Sequence, residues 1–389
     1  MARLQALALI AGCLSAACTQ ATFEPVAAPS GTLAPLLVAR RSGPELLALR
    51  NDAAQHTLVR TSVGSTTYTE LTRGDSWFVN WADVPAAVED EQGQLWFSWL
   101  VATGEQTYDY AAWLGRVDSS GKRPLSLPAQ RLHVDAGAGE HGFVSLAARP
   151  QAGIAMAWLD GRAYNEGKGA TRVYVRFADN DGTLGPEWLV DDRACDCCPT
   201  SLTMVGSDAL VAWRDRGPDE RRDIALATVS PAGVVTPVQA HTRDGWIING
   251  CPVNGAALAS HGERVALVRY TEGGETGAAR VLLATADTLV GPWHHRELVA
   301  AGAVGRVDVS SGPDGTLSVV WLERTAEAAQ WRLARWRHFD ARQAPVTQVD
   351  LITTTPSRAS GRARVLDLGT EVLVAIPAPE GAQVLRWQL

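Results

Sequence analysis

Short apolar runs ending near an aromatic side chain recur along the chain: Leu95-Trp96-Phe97-Ser98-Trp99, Ile154-Ala155-Met156-Ala157-Trp158, Ala209-Leu210-Val211-Ala212-Trp213 and Leu317-Ser318-Val319-Val320-Trp321. Two weaker copies, Val265-Ala266-Leu267-Val268-Arg269 and Val372-Leu373-Val374-Ala375-Ile376, fill the intervals, and Glu45-Leu46-Leu47-Ala48-Leu49 stands one period ahead of the first. The period is about 52 to 59 residues. Each unit opens with an earlier strand, such as Val84-Pro85-Ala86-Ala87-Val88, then a turn rich in Gly, Asp or Asn, then the run itself. A third strand follows, as in Arg172-Val173-Tyr174-Val175-Arg176, and after a Gly-containing turn a fourth segment. Strand-length apolar runs separated by turn residues predict β structure. Four strands per unit at this period predict the blades of a β-propeller. The expected fold is therefore all-β, a β-propeller of four-stranded blades, seven by count with six as the alternative. The last unit, from Arg362 to Leu389, has only three strands. Propellers close by letting one terminus complete the blade of the other, which removes a free edge, and Phe23-Glu24-Pro25-Val26 is the segment available to do it.

No segment beyond the N-terminus keeps a helical period. The N-terminus itself reads Met1-Ala2-Arg3, an apolar run from Leu4 to Gly12, then Leu14-Ser15-Ala16-Ala17-Cys18. One positive charge, a short apolar stretch and small residues mark an export signal. A cysteine directly after Ser-Ala-Ala resembles the lipobox of bacterial lipoproteins, whose thiol is acylated. Cys18 is the expected lipidation site; Cys13, which leaves a shorter apolar segment, and an ordinary signal with an incidental cysteine are the alternatives. The chain divides accordingly into a signal (1–17), a tether with the closing strand (18–33) and the propeller (34–389). No other apolar run approaches the roughly 18 residues that span a bilayer. The expected location is the cell envelope, facing the periplasm or at the outer membrane, touching the membrane only through the lipid. A net charge of −7 without long runs argues against nucleic acid as a partner. A monomer that meets a glycan or a protein is expected instead.

Chemistry concentrates in two loops. Of six cysteines, four lie in Cys195-Asp196-Cys197-Cys198-Pro199 and Gly250-Cys251-Pro252-Val253-Asn254-Gly255. Both loops precede the first strand of consecutive blades, so they gather at the propeller axis on one face. The second-to-third strand loops carrying Arg162, Arg216 and Arg324 join them there. Cys198 and Cys251 are thus expected to approach each other, with Asp83, His141, Arg306 and Arg362 at comparable points of other blades. Three readings of the thiols stay open. One is a disulfide, most simply Cys198–Cys251, in the oxidising environment of an exported protein. Another is a soft-metal site for copper or zinc at Cys195, Cys197, Cys198 and Cys251, although no second Cys-x-x-Cys pair exists and His141 is the one histidine near by. The third is a labile redox pair at Cys197-Cys198. No cofactor is otherwise demanded.

For a ligand, the candidates are Asp83, Arg162, Arg214, Arg216, Asn254, Arg306, Arg324 and Arg362, because forked guanidinium donors bind carboxylate or phosphate in pairs. The alternative for the arginines is pairing with neighbouring acids, as within Asp160-Gly161-Arg162 and Arg214-Asp215-Arg216. Of the tryptophans, Trp77, Trp81 and Trp246 fall in loops on this face and the recurring ones belong between blades; His294-His295 fall on a solvated fourth strand.

The turn Ala178-Asp179-Asn180-Asp181-Gly182-Thr183 with Trp188, and more loosely Thr285-Ala286-Asp287 with Trp293, resemble the Asp-box (BNR) repeats of the sialidase superfamily. That resemblance implies a carboxylated sugar held by three arginines, a Tyr–Glu nucleophile pair and an Asp acid/base. The superfamily's early Arg-Ile-Pro is missing, and Tyr270 with Glu272 is the pair on offer. A closer resemblance is to exported bacterial propellers labelled sialidase-like. They share Cys-x-Cys-Cys-Pro-x-Ser (Cys195 to Ser201), Gly-Cys-Pro-Val-Asn-Gly (Gly250 to Gly255), Trp213-Arg214-Asp215-Arg216 and Arg222-Asp223-Ile224. It implies a fold and leaves activity open. The function expected is binding of a ligand or partner at an axial Cys- and Arg-lined pocket. The alternatives are an exo-sialidase-type hydrolase of acidic glycans and an envelope thiol-redox or copper/zinc-binding protein.

Overall fold

The computed structural model describes residues 21–52, 55–118, 129–165, 169–240 and 242–389; the expected export signal and lipidation site, with Cys13 and Cys18, lie outside them. The described residues form seven four-stranded antiparallel sheets; six follow the chain from the innermost strand outward, and the seventh takes its outermost strand from the N-terminal end. The apolar runs are the second strands: Glu45–Asp52, Leu95–Ala102, Ile154–Asp160, Asp208–Arg214, Arg264–Thr271, Leu317–Arg324 and Glu371–Ile376. They read as unbroken apolar stretches because each packs between two neighbouring blades and is buried on both faces, as all seven residues of Ile154–Asp160 are. Outermost strands alternate instead, as Thr347–Thr354 does, since one face meets water.

What joins the blades is apolar packing between successive second and third strands. Ala266 and Val268 of blade 5 meet Val319, Trp321 and Trp336 of blade 6. Ala155 and Ala157 of blade 3 meet Val211 and Trp213 of blade 4. Trp96, Trp158, Trp321, Trp331 and Trp336 are among the largest fully buried side chains. Truncating one of them to alanine would cost about 3–5 kcal/mol. The seventh blade has the order expected of a closed ring: Glu24–Val26 pairs with Gln383–Gln388 as its outermost strand. Phe23 lies against Trp387 with ring centroids 5.8 Å apart. Seven blades replace the alternative of six.

Three innermost strands break register near the axial face, in Thr32–Val38, His141–Ala148 and Ala303–Ser311. At each break a non-glycine residue takes a left-handed conformation: Ala34 (φ 48°), Phe143 (φ 52°) and Arg306 (φ 53°). Side chains disfavour this region, so neighbouring contacts must hold it. Such bulges re-aim the side chains that follow them.

Candidate functional site

Two of these breaks are held by the same device. Asp83 lies in the loop before the first strand of blade 2, and its Oδ1 accepts the Phe143 N–H at 2.8 Å. Asn254 lies in the loop before the first strand of blade 5, and its Oδ1 accepts the Arg306 N–H at 2.8 Å. A glycine precedes each left-handed residue because nothing larger fits. A Cβ on Gly142 would meet Asp83 and Tyr110, and one on Gly305 would meet Asn254 and Tyr270. Asp83 and Asn254, expected to contact a ligand, are thus buried straps between blades.

The two cysteine loops do meet. Cys195 and Cys198 are wholly buried, Cys197 is half-buried and Cys251 is exposed; all four are free thiols. A turn at Asp196-Cys197 folds the first loop on itself. It puts the Cys195 sulfur 3.4 Å from that of Cys198 and 3.8 Å from that of Cys197. A disulfide needs about 2.05 Å. The expected Cys198–Cys251 bond is therefore corrected: Cys198 curls inward to Cys195, and Cys251 instead lies beside Cys197 and Asp196, its sulfur 3.8 Å from Asp196 Oδ1. The sulfurs of Cys195, Cys197 and Cys198 lie within 4.8 Å of one another, a span one metal ion could bridge. His141 takes no part; its Nε2 is 3.2 Å from Asp135, and its ring stacks on His133 at 3.9 Å.

Arg222, quoted in a motif but given no role from sequence, donates from Nη1 to the Cys195 sulfur at 3.1 Å. It also pairs with Glu220 at 2.7 Å. The hydrogen bonds that Cys195 shares with Cys197 and Cys198, and then the Arg222 charge, hold the Cys195 thiol well below its usual range. Burial pushes the Cys198 thiol up. The cluster is thus asymmetric, with the thiolate favoured at Cys195.

The arginines separate into two groups. Arg162 makes a forked pair with Asp160 at 2.7 and 2.6 Å and reaches Glu187 at 3.0 Å. Arg216 pairs with Glu220 at 2.9 Å and lies 3.8 Å from Asp196. Arg214 is buried over the Trp246 ring and donates to the carbonyls of Asn254, Tyr270 and Arg222. Those three are occupied by the protein, and Arg324 is exposed at the end of its strand. Arg306, Arg358 and Arg362 differ: none is ion-paired to a carboxylate among the described residues. Arg306 stacks over Trp81 at 4.9 Å and donates to Ser360 Oγ and, at 3.0 Å, to the Gly361 carbonyl. Arg358 approaches the same ring at 5.8 Å. Arg362 is buried, and its Nη1 has no hydrogen-bond partner. Burial, reinforced by Arg358, pushes Arg306 down to about 10; burial, reinforced by Arg364, pushes Arg362 down to about 10.

Two neighbouring spaces share Val84, Arg362 and Arg364 in their linings. A mostly apolar pocket of about 350 Å³ is lined by Trp81, Arg358, Arg362, Arg364, Val79 and Pro377, among others. An axial cavity of about 180 Å³ takes residues from all seven blades, including Asp83, Asp308 and Arg362. Arg362 stands between them.

No family model and no curated protein sequence matches the chain. Solved structures do. An ulvan lyase of polysaccharide lyase family PL25 aligns with 93% of this chain and 95% of its own, at 11% identity and a TM-score of 0.54. The β-propeller domain of the Trilobed protease from Pyrococcus furiosus aligns over 95% and 94%, at 11% identity and 0.52. A neuraminidase-like protein from A/bat/Guatemala/164/2009 aligns over 95% and 94%, at 9% identity and 0.50. The fold is that of a sialidase-like β-propeller. At these identities the likeness is one of architecture, and the chemistry of this sialidase-like propeller has to come from its own residues.

Three tyrosines contact carboxylates among the described residues: Tyr110, Tyr270 and the exposed Tyr164, whose hydroxyl lies 3.4 Å from Asp196 Oδ2 with Arg216 3.5 Å away. The Tyr110 hydroxyl lies 3.0 Å from Asp83 Oδ2 and 2.8 Å from Glu140 Oε1. One phenol proton serves only one of these contacts, so the other needs a protonated carboxyl. Burial pushes Asp83 up to about 7 and Glu140 up to about 7, the charges of Asp83 and Asp196 adding to the second. Glu140 had no role from sequence. The other buried pair is Tyr270 with Glu272, where burial, followed by the glutamate, pushes the phenol up. In this sialidase-like propeller Tyr110 and Tyr270 are 1% and 6% exposed. Both stand against the strap glycines, where they support the inter-blade joints.

Proposed function

We propose that this sialidase-like propeller is a binding protein of the cell envelope that takes an acidic glycan or another carboxylate-bearing partner at the Arg306–Arg358–Arg362 pocket. One observation carries this reading: Arg306 and Arg358 lie over Trp81, Arg358 and Arg362 line the pocket beside it, and none of the three is ion-paired to a carboxylate among the described residues. Burying a charge without a counter-charge is costly, so an anionic ligand would restore the balance. Trp81 adds an aromatic face on which a sugar ring can lie. The fold neighbour from family PL25 has been solved bound to a GlcA(1-4)Rha3S saccharide, which suggests uronate-containing probes. In this reading the protein is exported, held at the envelope by lipid on Cys18, and works as a monomer without nucleic acid. Binding rather than turnover is favoured because the Tyr110 and Tyr270 pairs are buried at joints, and the exposed Tyr164–Asp196 contact lies on the thiol side, away from Trp81 and its arginines.

Titration calorimetry with a glucuronate-containing oligosaccharide and its neutral counterpart tests this. The acidic ligand should bind and the neutral one should not. Arg362→Ala should weaken binding about tenfold or more, the worth of a charged hydrogen bond. Equal binding of both sugars, or binding untouched by Arg362→Ala, would sink the reading; steady release of cleaved product would favour the hydrolase alternative.

A second capacity on the same face is favoured by the sulfur separations at Cys195, Cys197 and Cys198. They suit a soft metal ion, copper or zinc, held by thiolates.

A further inference from the structure

We infer that the thiol cluster selects copper(I), bound as a single ion by Cys195, Cys197 and Cys198 in a three-sulfur site. The inference rests on the soft-metal reading above and draws on no residue of the guanidinium pocket. Metal–sulfur bonds of about 2.3 Å put two sulfurs on one ion about 3.8 Å apart at tetrahedral angles and about 4.0 Å apart at trigonal ones. The sulfurs already stand at 3.4 and 3.8 Å, so small side-chain rotations suffice.

The choice of ion follows from what surrounds them. Structural zinc is closed by four ligands. The buried group holds three sulfurs and neither a histidine nor a carboxylate. The neighbour of Cys195 is the Arg222 guanidinium at 3.1 Å, which cannot ligate and which opposes a dication more than a monocation. Asp196 and the exposed Cys251 form a separate group with Cys197, open to solvent. Thiolates without a harder ligand favour copper(I). The ion arrives and remains as Cu(I), so no electron moves. Each thiol that ligates gives its proton to solvent. Three thiolates around one Cu(I) carry two negative charges, partly offset by Arg222.

The test uses the full chain carrying Cys13→Ser and Cys18→Ser, so that only the four clustered thiols report. Reduced protein is titrated anaerobically with Cu(I) against bicinchoninate, and separately with Zn(II). One copper per chain should be withdrawn from the chelator, with X-ray absorption showing three sulfur neighbours. Cys195→Ser and Cys197→Ser should each lose that copper while keeping the circular dichroism of the parent; Cys251→Ser should keep it. Cys197 is half-buried, so its variant stays informative if the Cys195 variant fails to fold. Zinc bound in preference, with four ligands and lost in Cys251→Ser, would overturn the copper assignment but leave the soft-metal reading standing. Neither metal bound by fully reduced protein would overturn both. Copper retained by Cys197→Ser would overturn the three-sulfur site.

Discussion

Asp83 and Asn254 perform one task with different chemistry. Each accepts the N–H of a left-handed residue in a neighbouring blade, but Asn254 is neutral and Asp83 holds its proton up to about pH 7. The sign of the pH effect follows. In the folded chain Asp83 and Glu140 titrate near 7, against 3.8 and 4.5 for the free groups. Between those limits the folded state binds more protons, so their contribution to stability falls as pH rises from about 4 to about 7. Thermal unfolding should show a midpoint that declines over this range, and the decline should flatten in Asp83→Asn with Glu140→Gln. An unchanged slope would mean that both carboxyls are already ionised in the fold. Asn254→Ala should cost about 1–3 kcal/mol by leaving the Arg306 N–H buried without an acceptor. It should also weaken binding of the acidic ligand, because Arg306 loses its fixed aim at Trp81. Neither strap was legible in the sequence. Their role depends on left-handed backbone at Phe143 and Arg306, residue types that do not announce it, and so both straps read as ligand contacts. Arg214 misled in the same way, since its partners are main-chain carbonyls, which leave no mark in the side-chain pattern.

Among the elements, the second strands were the most legible. Packing on both sides makes them continuously apolar, and their spacing pointed to seven blades over six, which the seven sheets bear out. Fourth strands were the least legible, because Gln130–Arg131 and Val235–Pro237 are too short to carry a pattern. Repeat counting put the two cysteine loops side by side but mispaired their thiols. Blade equivalence sets where a loop enters the axial face, whereas the turn at Asp196-Cys197 decides which sulfurs face each other. The strand Glu24–Val26 supplies a further check. Removing residues through Val26 uncovers the edge of Gln383–Gln388. The shortened chain should unfold at a lower temperature and should associate, seen by light scattering, since a bare edge pairs with other chains.

For the whole molecule, the sequence carried the architecture and left the chemistry to the structure. The net charge of −7 conceals a pocket of the opposite sign, because the acids are spent on partners such as Arg162, Arg216 and Arg222 while Arg306, Arg358 and Arg362 make no ion pair among the described residues. Attraction of an anion to that pocket should weaken with added salt, although less than for exposed charges, because Arg306 and Arg362 are buried. Arg362 has one more consequence. Its charge reaches the Cys198 sulfur as well as the pocket, so the two proposed sites draw on one cation. An anion that engages Arg362 leaves less positive potential for the thiolates, and a filled thiolate site leaves less for the anion. Thermodynamic reciprocity then fixes the two effects to be equal: the factor by which copper loading raises the anion's Kd must match the factor by which the anion raises copper's. The propeller would then carry either cargo more tightly than it carries both.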